Sequence, residues 1–182
     1  MRYSPQITTR PWSETQAWHE AGKRYAVLML FLQNDGKHDE VVLIKRTDKV
    51  PTHPGQIAFA GGAAESTDAD PIATALRETE EELGIPQNEV KIIGMTPHVP
   101  SLDGGIIVPV AATTMFPREK FVADQFEVAE VICAPWLELR QEVASSFQFD
   151  RFGKTVTSRL FTLGEHRVWG LTAEMIFRAN FR

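Results

Sequence analysis

Two apolar runs, Arg24 to Gln33 and Glu40 to Arg46, carry Val, Leu, Ile and Phe without alternation. That pattern predicts strands buried on both faces. The NDGKHD stretch between them, with Asp35-Gly36 at its tip, predicts a hairpin-type connection. Thr47 to Gln56 holds Pro51, Pro54 and Gly55 and is expected to be a loop, followed by a short strand, Ile57 to Ala60, and the glycine pair Gly61-Gly62. Then the period changes to helical. Asp70-Pro71 reads as N-cap and first helical position and Gly84 as the residue that ends the helix. This bounds a helix from Pro71 to Leu83, on which Ile72, Leu76, Thr79 and Leu83 are expected to form one buried stripe.

Further strands are expected at Val90 to Pro97, Ile106 to Thr113 and Val128 to Ala134. Pro135 to Arg140 reads as a helical turn or short helix, Phe147 to Phe161 as a hairpin around Asp150 to Lys154, and Gly170 to Phe181 as a helix whose Leu171, Met175, Ile176 and Ala179 face the sheet. Residues 1–22 read as a polar arm or short helix packed on the domain, and no internal repeat is visible. Strands on either side of a helix, with a second helix at the end, predict an α/β layered domain with a mixed β-sheet between helices.

Composition narrows this picture. With 182 residues, 43% hydrophobic and no long Gly/Ser-rich or Pro-rich linker, residues 1–182 fit one domain that needs no staples. A net charge of −5 without any block of Lys/Arg argues against a large nucleic-acid footprint. The single cysteine, Cys133, excludes an intramolecular disulfide and reads as a small core residue. The N-terminus has no apolar targeting core, and the longest apolar run, Tyr25 to Leu32, is too short to span a bilayer. A soluble, cytoplasmic protein with no membrane partner is expected.

The chemistry concentrates in Arg77-Glu78-Thr79-Glu80-Glu81-Glu82. At helical spacing Glu78, Glu81 and Glu82 share a face, while Glu80 points elsewhere. A solvated acidic face is the simple alternative. Against it, like charges one turn apart repel, and acids in a last turn oppose the helix dipole. A hard divalent cation, Mg²⁺ or Mn²⁺, would offset both. Glycines between a strand and the loop before such a helix allow close backbone approach to a ligand, though turn-making would also require them.

Gly-Gly, a short loop and then Arg-Glu-x-x-Glu-Glu-x-Gly-Ile resembles the signature of Nudix hydrolases, which cleave diphosphates linked to another moiety. The usual signature has one residue fewer between the second glycine and the arginine. It also has a glutamate where this chain has Ala69 and an apolar residue where it has Thr79; Asp68 is the nearest acid that could orient Arg77. Leu43-Ile-Lys-Arg46, His53-Pro-Gly-Gln-Ile-Ala-Phe-Ala-Gly-Gly62, Thr74-Ala-Leu-Arg-Glu78, the loop Pro97 to Val110 and the tail Arg167 to Ile176 are similar to the bacterial coenzyme A diphosphatase branch. The likeness covers most of the chain from about residue 25. Departures are Pro51 in place of an arginine, Ala60 in place of a proline, and Ala63-Ala64 in place of a more polar pair.

The resemblance implies a Nudix-type α/β/α sandwich and a diphosphatase dependent on Mg²⁺ or Mn²⁺. It implies Glu78 and Glu82 as metal ligands, Glu81 as a further ligand or base, the carbonyl of Gly61 as an additional ligand, and Arg77 as the residue that orients the glutamates. Glu127 is implied as an acid near the metal, with a solvated strand-end glutamate as the simple alternative, and Glu119 and Asp124 are other candidates for the base. Arg46, His53 and Gly62 are expected on the substrate side, although a loop histidine such as His53 also has a purely backbone-bonded reading. Trp136 and Trp169 are expected in the core. The implied substrate is coenzyme A or a derivative; ADP-ribose or a nucleotide sugar is the alternative, and a catalytically inactive binding module is a third reading that the intact glutamate set opposes. Homodimers are common among such relatives, so the oligomeric state stays open.

Overall fold

The computed structural model describes residues 18, 22–33, 40–141, 145–151 and 153–179. The expected connection at 34–39, nearly all of the arm at 1–22 and the end of the terminal helix at 180–181 lie outside the described residues. Of the arm, Trp18 is described, and it is completely buried under the Arg24 guanidinium, 5.6 Å from the ring centroid.

The large sheet is organised around β1 (Arg24–Leu32). Along one side β1 runs parallel to β7 (Ile106–Thr114) over its full length, in register from Arg24 opposite Ile106 to Leu32 opposite Thr114. β5 (Val90–Met95) lies antiparallel on the outer side of β7, and the short β6 (Val99–Pro100) pairs with the start of β7. Along the other side, β2 (Glu40–Arg46) touches β1 only at its far end, Phe31 opposite Val41 and Leu32 opposite Glu40. The two strands then splay apart. The wedge is filled by β3 (Ile57–Ala58), which pairs with β2, and β4 (Ala60–Ala63), which pairs with β1 and places Gly61 opposite Val27 and Gly62 opposite Ala26. Outside β2 runs β8 (Val128–Pro135).

Continuous apolar character in β1 and β2 is explained by cores on both faces. On one face Ala26, Leu28, Leu30, Val42, Ile44, Val108, Val110 and Val128 pack with Ala75, Leu83 and Ile85, from helix α1 (Pro71–Leu83) and the turn after it. On the other, Met29, Phe31, Val41 and Leu43 pack with Trp136 and Leu139 of α2 (Trp136–Gln141) and with a second layer. That layer is a separate three-stranded sheet, β9 (Ser145–Arg151), β10 (Lys154–Leu163) and β11 (His166–Trp169), with α3 (Gly170–Arg178). The sequence pattern predicts the β9–β10 hairpin but not that β11 joins it into its own sheet. Trp136 meets Phe31 edge to face at 5.1 Å. Trp136 is buried, whereas Trp169 is half-buried.

Helix α1 begins and ends as its sequence dictates. Asp70 caps it by accepting from the Ala73 amide at 2.8 Å. Gly84 ends it at φ +66°, its amide donating to the Glu80 carbonyl at 2.8 Å. The buried face differs from expectation. Thr74, Ala75, Thr79, Glu82 and Leu83 are buried, whereas Ile72 and Leu76 are half-exposed. The helix is rotated so that Glu82 turns toward β4, where the Gly61 amide donates to it, an inward carboxylate that an apolar-stripe reading cannot foresee.

Candidate active site

The site lies where α1 crosses β4. Gly61 sits at φ +149° with its Cα hydrogen pressed onto β1; a Cβ there would stand 2.3 Å from the Ala26 carbonyl oxygen and 2.5 Å from the Val27 Cα. Only glycine fits that approach. It also turns the Gly61 amide to the helix, where it donates to Glu82 Oε2 at 3.0 Å. Gly62 serves differently. A Cβ at Gly62 would lie 2.5 Å from both carboxylate oxygens of Glu78, so the missing side chain is the slot that Glu78 occupies.

Glu82 is 2% exposed, and among the described residues its Oε1 has no hydrogen-bond donor. Burial pushes its carboxyl up to about 8, opposed by the Gly61 amide and by Arg46 and reinforced by repulsion from Glu78 and Glu127. Burial likewise raises Glu78, with Arg77 opposing and Glu81 and Glu127 adding to the rise. These are carboxylates short of positive charge.

Two arginines approach the acids. Arg77 donates from Nε and Nη2 to Asp68 at 3.2 and 3.0 Å, from Nη2 to the Ala63 carbonyl at 2.9 Å, and from Nη1 to Glu81 at 3.0 Å; Nη1 also lies 3.0 Å from Glu78 Oε1. The hydrogen bonds to Asp68 are the main reason its guanidinium is held still more firmly protonated, and they also hold the Asp68 carboxyl below its ordinary range. Asp68 itself is fixed by the Thr74 hydroxyl and the Glu65 amide, both at 2.9 Å. Asp68 therefore holds Arg77, as its position in the sequence suggests. Arg46 enters from the end of β2, where a register shift between Lys45 and Arg46 against β8 re-aims the chain. Its guanidinium lies 3.6 Å from Glu82 Oε1 and 3.9 Å from Glu127 Oε2, and its Nε donates to the Thr52 carbonyl at 3.3 Å.

Glu127 stands in the turn just before β8. Its amide donates to Asp124, and its carbonyl accepts from Thr47 at 2.9 Å. The Thr47 hydroxyl donates to the neighbouring Phe126 carbonyl, so the end of β2 and the start of β8 are tied together. Asp124 Oδ1 accepts from the Phe126 and Glu127 amides, which commits it to shaping that turn, and Glu119 lies exposed in a short 3₁₀ turn. The connection at 115–125 closes the C-terminal end of α1. The Val122 amide donates to the Leu83 carbonyl at 2.9 Å and the Asp124 amide to the Glu82 carbonyl at 3.0 Å. A Cβ on Gly84 would meet Val122 at 2.9 Å, so this contact is as close as glycine allows.

Of the residues singled out by sequence, the structure gathers Gly61, Gly62, Arg77, Glu78, Glu82, Arg46 and Glu127. Glu81 is exposed and turned to Arg77. Exposed His53, at φ +55°, forms a loop turn in which its carbonyl accepts from the Gln56 amide. Sequence reasoning did not find the Arg46 pairing with Glu82 and Glu127, because it joins three elements distant along the chain. Among the described residues, no group of three or more His, Cys, Asp or Glu side chains stands arranged to hold a metal ion; Arg77 is paired with Glu78 and Glu81, and Arg46 with Glu82 and Glu127. The donor set nevertheless suits a hard divalent cation: two carboxylates raised by burial, and one buried oxygen without a donor.

The NUDIX domain profile matches residues 22–155. The Nudix hydrolase NudL of Enterobacter sp. (strain 638) is 40% identical over 137 residues, 75% of this chain and 71% of that protein. Its counterpart in Shigella flexneri serotype 5b (strain 8401) is 33% identical over 174 residues, 94% and 84% of the two chains. Among solved structures, a MutT/nudix family protein from Enterococcus faecalis superposes with a TM-score of 0.53 at 19% identity, over 93% of this chain and 68% of that one. An Ap4A hydrolase from C. elegans gives 0.53 at 18%, over 62% and 80%. The sequence likeness defines an enzyme, a hydrolase of phosphoanhydride-containing substrates, and the structural likeness shows the same α/β fold. The chain belongs to the Nudix hydrolase family, whose members generally use divalent metal ions. No helix among the described residues is long and apolar enough to cross a membrane.

Proposed function

We propose that this enzyme splits the phosphoanhydride bond of coenzyme A or its derivatives, giving 3′,5′-ADP and a 4′-phosphopantetheine product, with Mg²⁺ or Mn²⁺ held by Glu78 and Glu82. The observation that carries the metal-dependent reading is Glu82 Oε1, buried with no donor beside a second raised carboxylate. Glu81 and the Gly61 carbonyl complete the ligand set. A bound divalent ion would neutralise the bridging phosphates and activate the attacking water. The protein's own part is positional. The Gly61 amide fixes one oxygen of Glu82, and Arg77, itself held by Asp68, aims Glu78 and Glu81. Glu127, at the edge of this cluster, takes the water's proton. Arg46, at the edge of the same cluster, faces the substrate, while Gly62 makes room for Glu78 and His53 lies in an exposed turn.

The coenzyme A assignment is supported by the sequence from Leu43 to Glu78 and by the tail Arg167 to Ile176. A second reading, an ADP-ribose or nucleotide-sugar diphosphatase, is favoured by exposed Pro51 where an arginine would meet an additional phosphate. The deciding experiment is a hydrolysis panel of coenzyme A, ADP-ribose, NADH and nucleotide sugars with Mg²⁺ or Mn²⁺. Release of 3′,5′-ADP from coenzyme A is expected; cleavage of ADP-ribose with coenzyme A untouched would establish the second reading.

A further inference from the structure

The two arginines of the site are held in opposite ways. Arg77 is anchored on Asp68 and Ala63 by bonds of 2.9–3.2 Å and has no freedom to leave. Among the described residues the Arg46 guanidinium makes one hydrogen bond, to the Thr52 carbonyl, at 3.3 Å. Its nitrogens stop 3.6 and 3.9 Å from Glu82 and Glu127, close enough to neutralise but too far to satisfy Glu82 Oε1. A permanent arginine–carboxylate pair takes the bidentate geometry that Arg77 and Asp68 show. Arg46 has the geometry of a cation that fills a charge deficit without being fitted to it. Its side chain is 16% exposed, so it has a way out, and its anchor, exposed Thr52, lies in the loop at 47–56 rather than in the sheet.

Resting on the reading that Glu78 and Glu82 hold the metal, we infer that Arg46 is an internal counter-cation that the metal displaces, so that its guanidinium sets the metal concentration at which the site fills. While the site is empty, Arg46 keeps Glu82 and Glu127 from repelling each other. Arrival of a divalent ion makes that role redundant and repels the guanidinium. Arg46 then turns, about its Thr52 anchor, toward the side from which an anionic diphosphate approaches.

The test is Mn²⁺ binding to the intact protein, followed by loss of the free-ion electron paramagnetic resonance signal. Arg46→Gln should bind Mn²⁺ about tenfold more tightly, as expected for removing one cation about 4 Å from the ligands. Arg46→Lys, which keeps the charge, should stay within about threefold of wild type. Arg46→Gln should also melt earlier than wild type without metal and together with it at saturating Mn²⁺. Equal or weaker affinity in Arg46→Gln, with binding still abolished by Glu82→Gln, would overturn the role of Arg46 while leaving the metal site standing. A wild-type protein that takes up no Mn²⁺ would overturn both. A measurement on wild-type protein guards against a misfolded variant: the Nε–H resonance of Arg46 should move on titration with Mg²⁺, and a resonance that stays still refutes displacement.

Discussion

The adjacent glycines Gly61 and Gly62 should fail in different ways when each becomes alanine. At Gly62 the new Cβ would stand 2.5 Å from the Glu78 carboxylate oxygens. An ordinary C···O contact is about 3.3 Å, so the carboxylate must retreat by roughly 0.8 Å. It lies at the end of a flexible side chain and can do so without moving the backbone. Stability should therefore hold, or gain the ~0.4–1 kcal/mol that Gly→Ala gives through the unfolded state. Turnover should not hold if Glu78 is the metal ligand proposed above, because a ligand displaced by nearly 1 Å costs on the order of a hundredfold, about 2.7 kcal/mol in the barrier. At Gly61 the obstacles are the Ala26 carbonyl and the Val27 Cα, both backbone, and φ is +149°. Gly61→Ala should therefore lose about 2–3 kcal/mol of folding stability. The assay pairs urea denaturation with kcat/KM on whichever substrate the hydrolysis panel identifies. Wild-type kcat/KM in Gly62→Ala, or equal destabilisation of the two variants, would refute the reasoning.

Glu82 predicts a pH profile for the metal-free protein. Its folded carboxyl, raised from 4.5 to about 8, holds its proton more tightly than the unfolded chain does, so the stability it contributes is present below about pH 4.5 and lost as the pH climbs through 8. Urea midpoints should fall across that window and flatten when Mg²⁺ is added; a flat metal-free profile contradicts the burial argument. Glu82→Gln should abolish metal-dependent turnover yet raise metal-free stability at pH 8 by about 1–3 kcal/mol, the signature of a group retained for chemistry. Asp68→Asn removes the anchor of Arg77 and should cost about 2–3 kcal/mol by denaturation at pH 7. Because Arg77 holds the Asp68 carboxyl low, that stability is present above about pH 4 and lost as the pH falls through its folded value, so wild type and variant should converge in acid.

Much of the site was legible because its signals are local. Asp70, Pro71 and Gly84 bound α1 through capping chemistry, and the spacing of Glu78 and Glu82 on one helix face needs no tertiary knowledge. What the sequence hides is decided at long range. Ile72 and Leu76 look like the buried stripe, yet the helix turns Glu82 inward to β4, inserted between splayed β1 and β2, where the Gly61 amide donates to it. The pairing of β11 with β10 places a separate small sheet over the second core, and no periodicity in His166–Trp169 announces its partner. Arg46 reads as a substrate-side arginine from its neighbours along the chain, and only the fold brings Glu82 and Glu127 to it.

The loop that closes the end of α1 makes an unlikely-looking stretch of surface intolerant of change in length. Because the Val122 and Asp124 amides are spoken for by Leu83 and Glu82, and Asp124 also sets the turn carrying Glu127, the residues from 122 to 127 act as a ruler between the helix and β8. One residue inserted there would shift Glu127 relative to Glu82 as surely as a mutation within the site. For anyone grafting, splitting or permuting this enzyme, the cut belongs on another edge of the molecule.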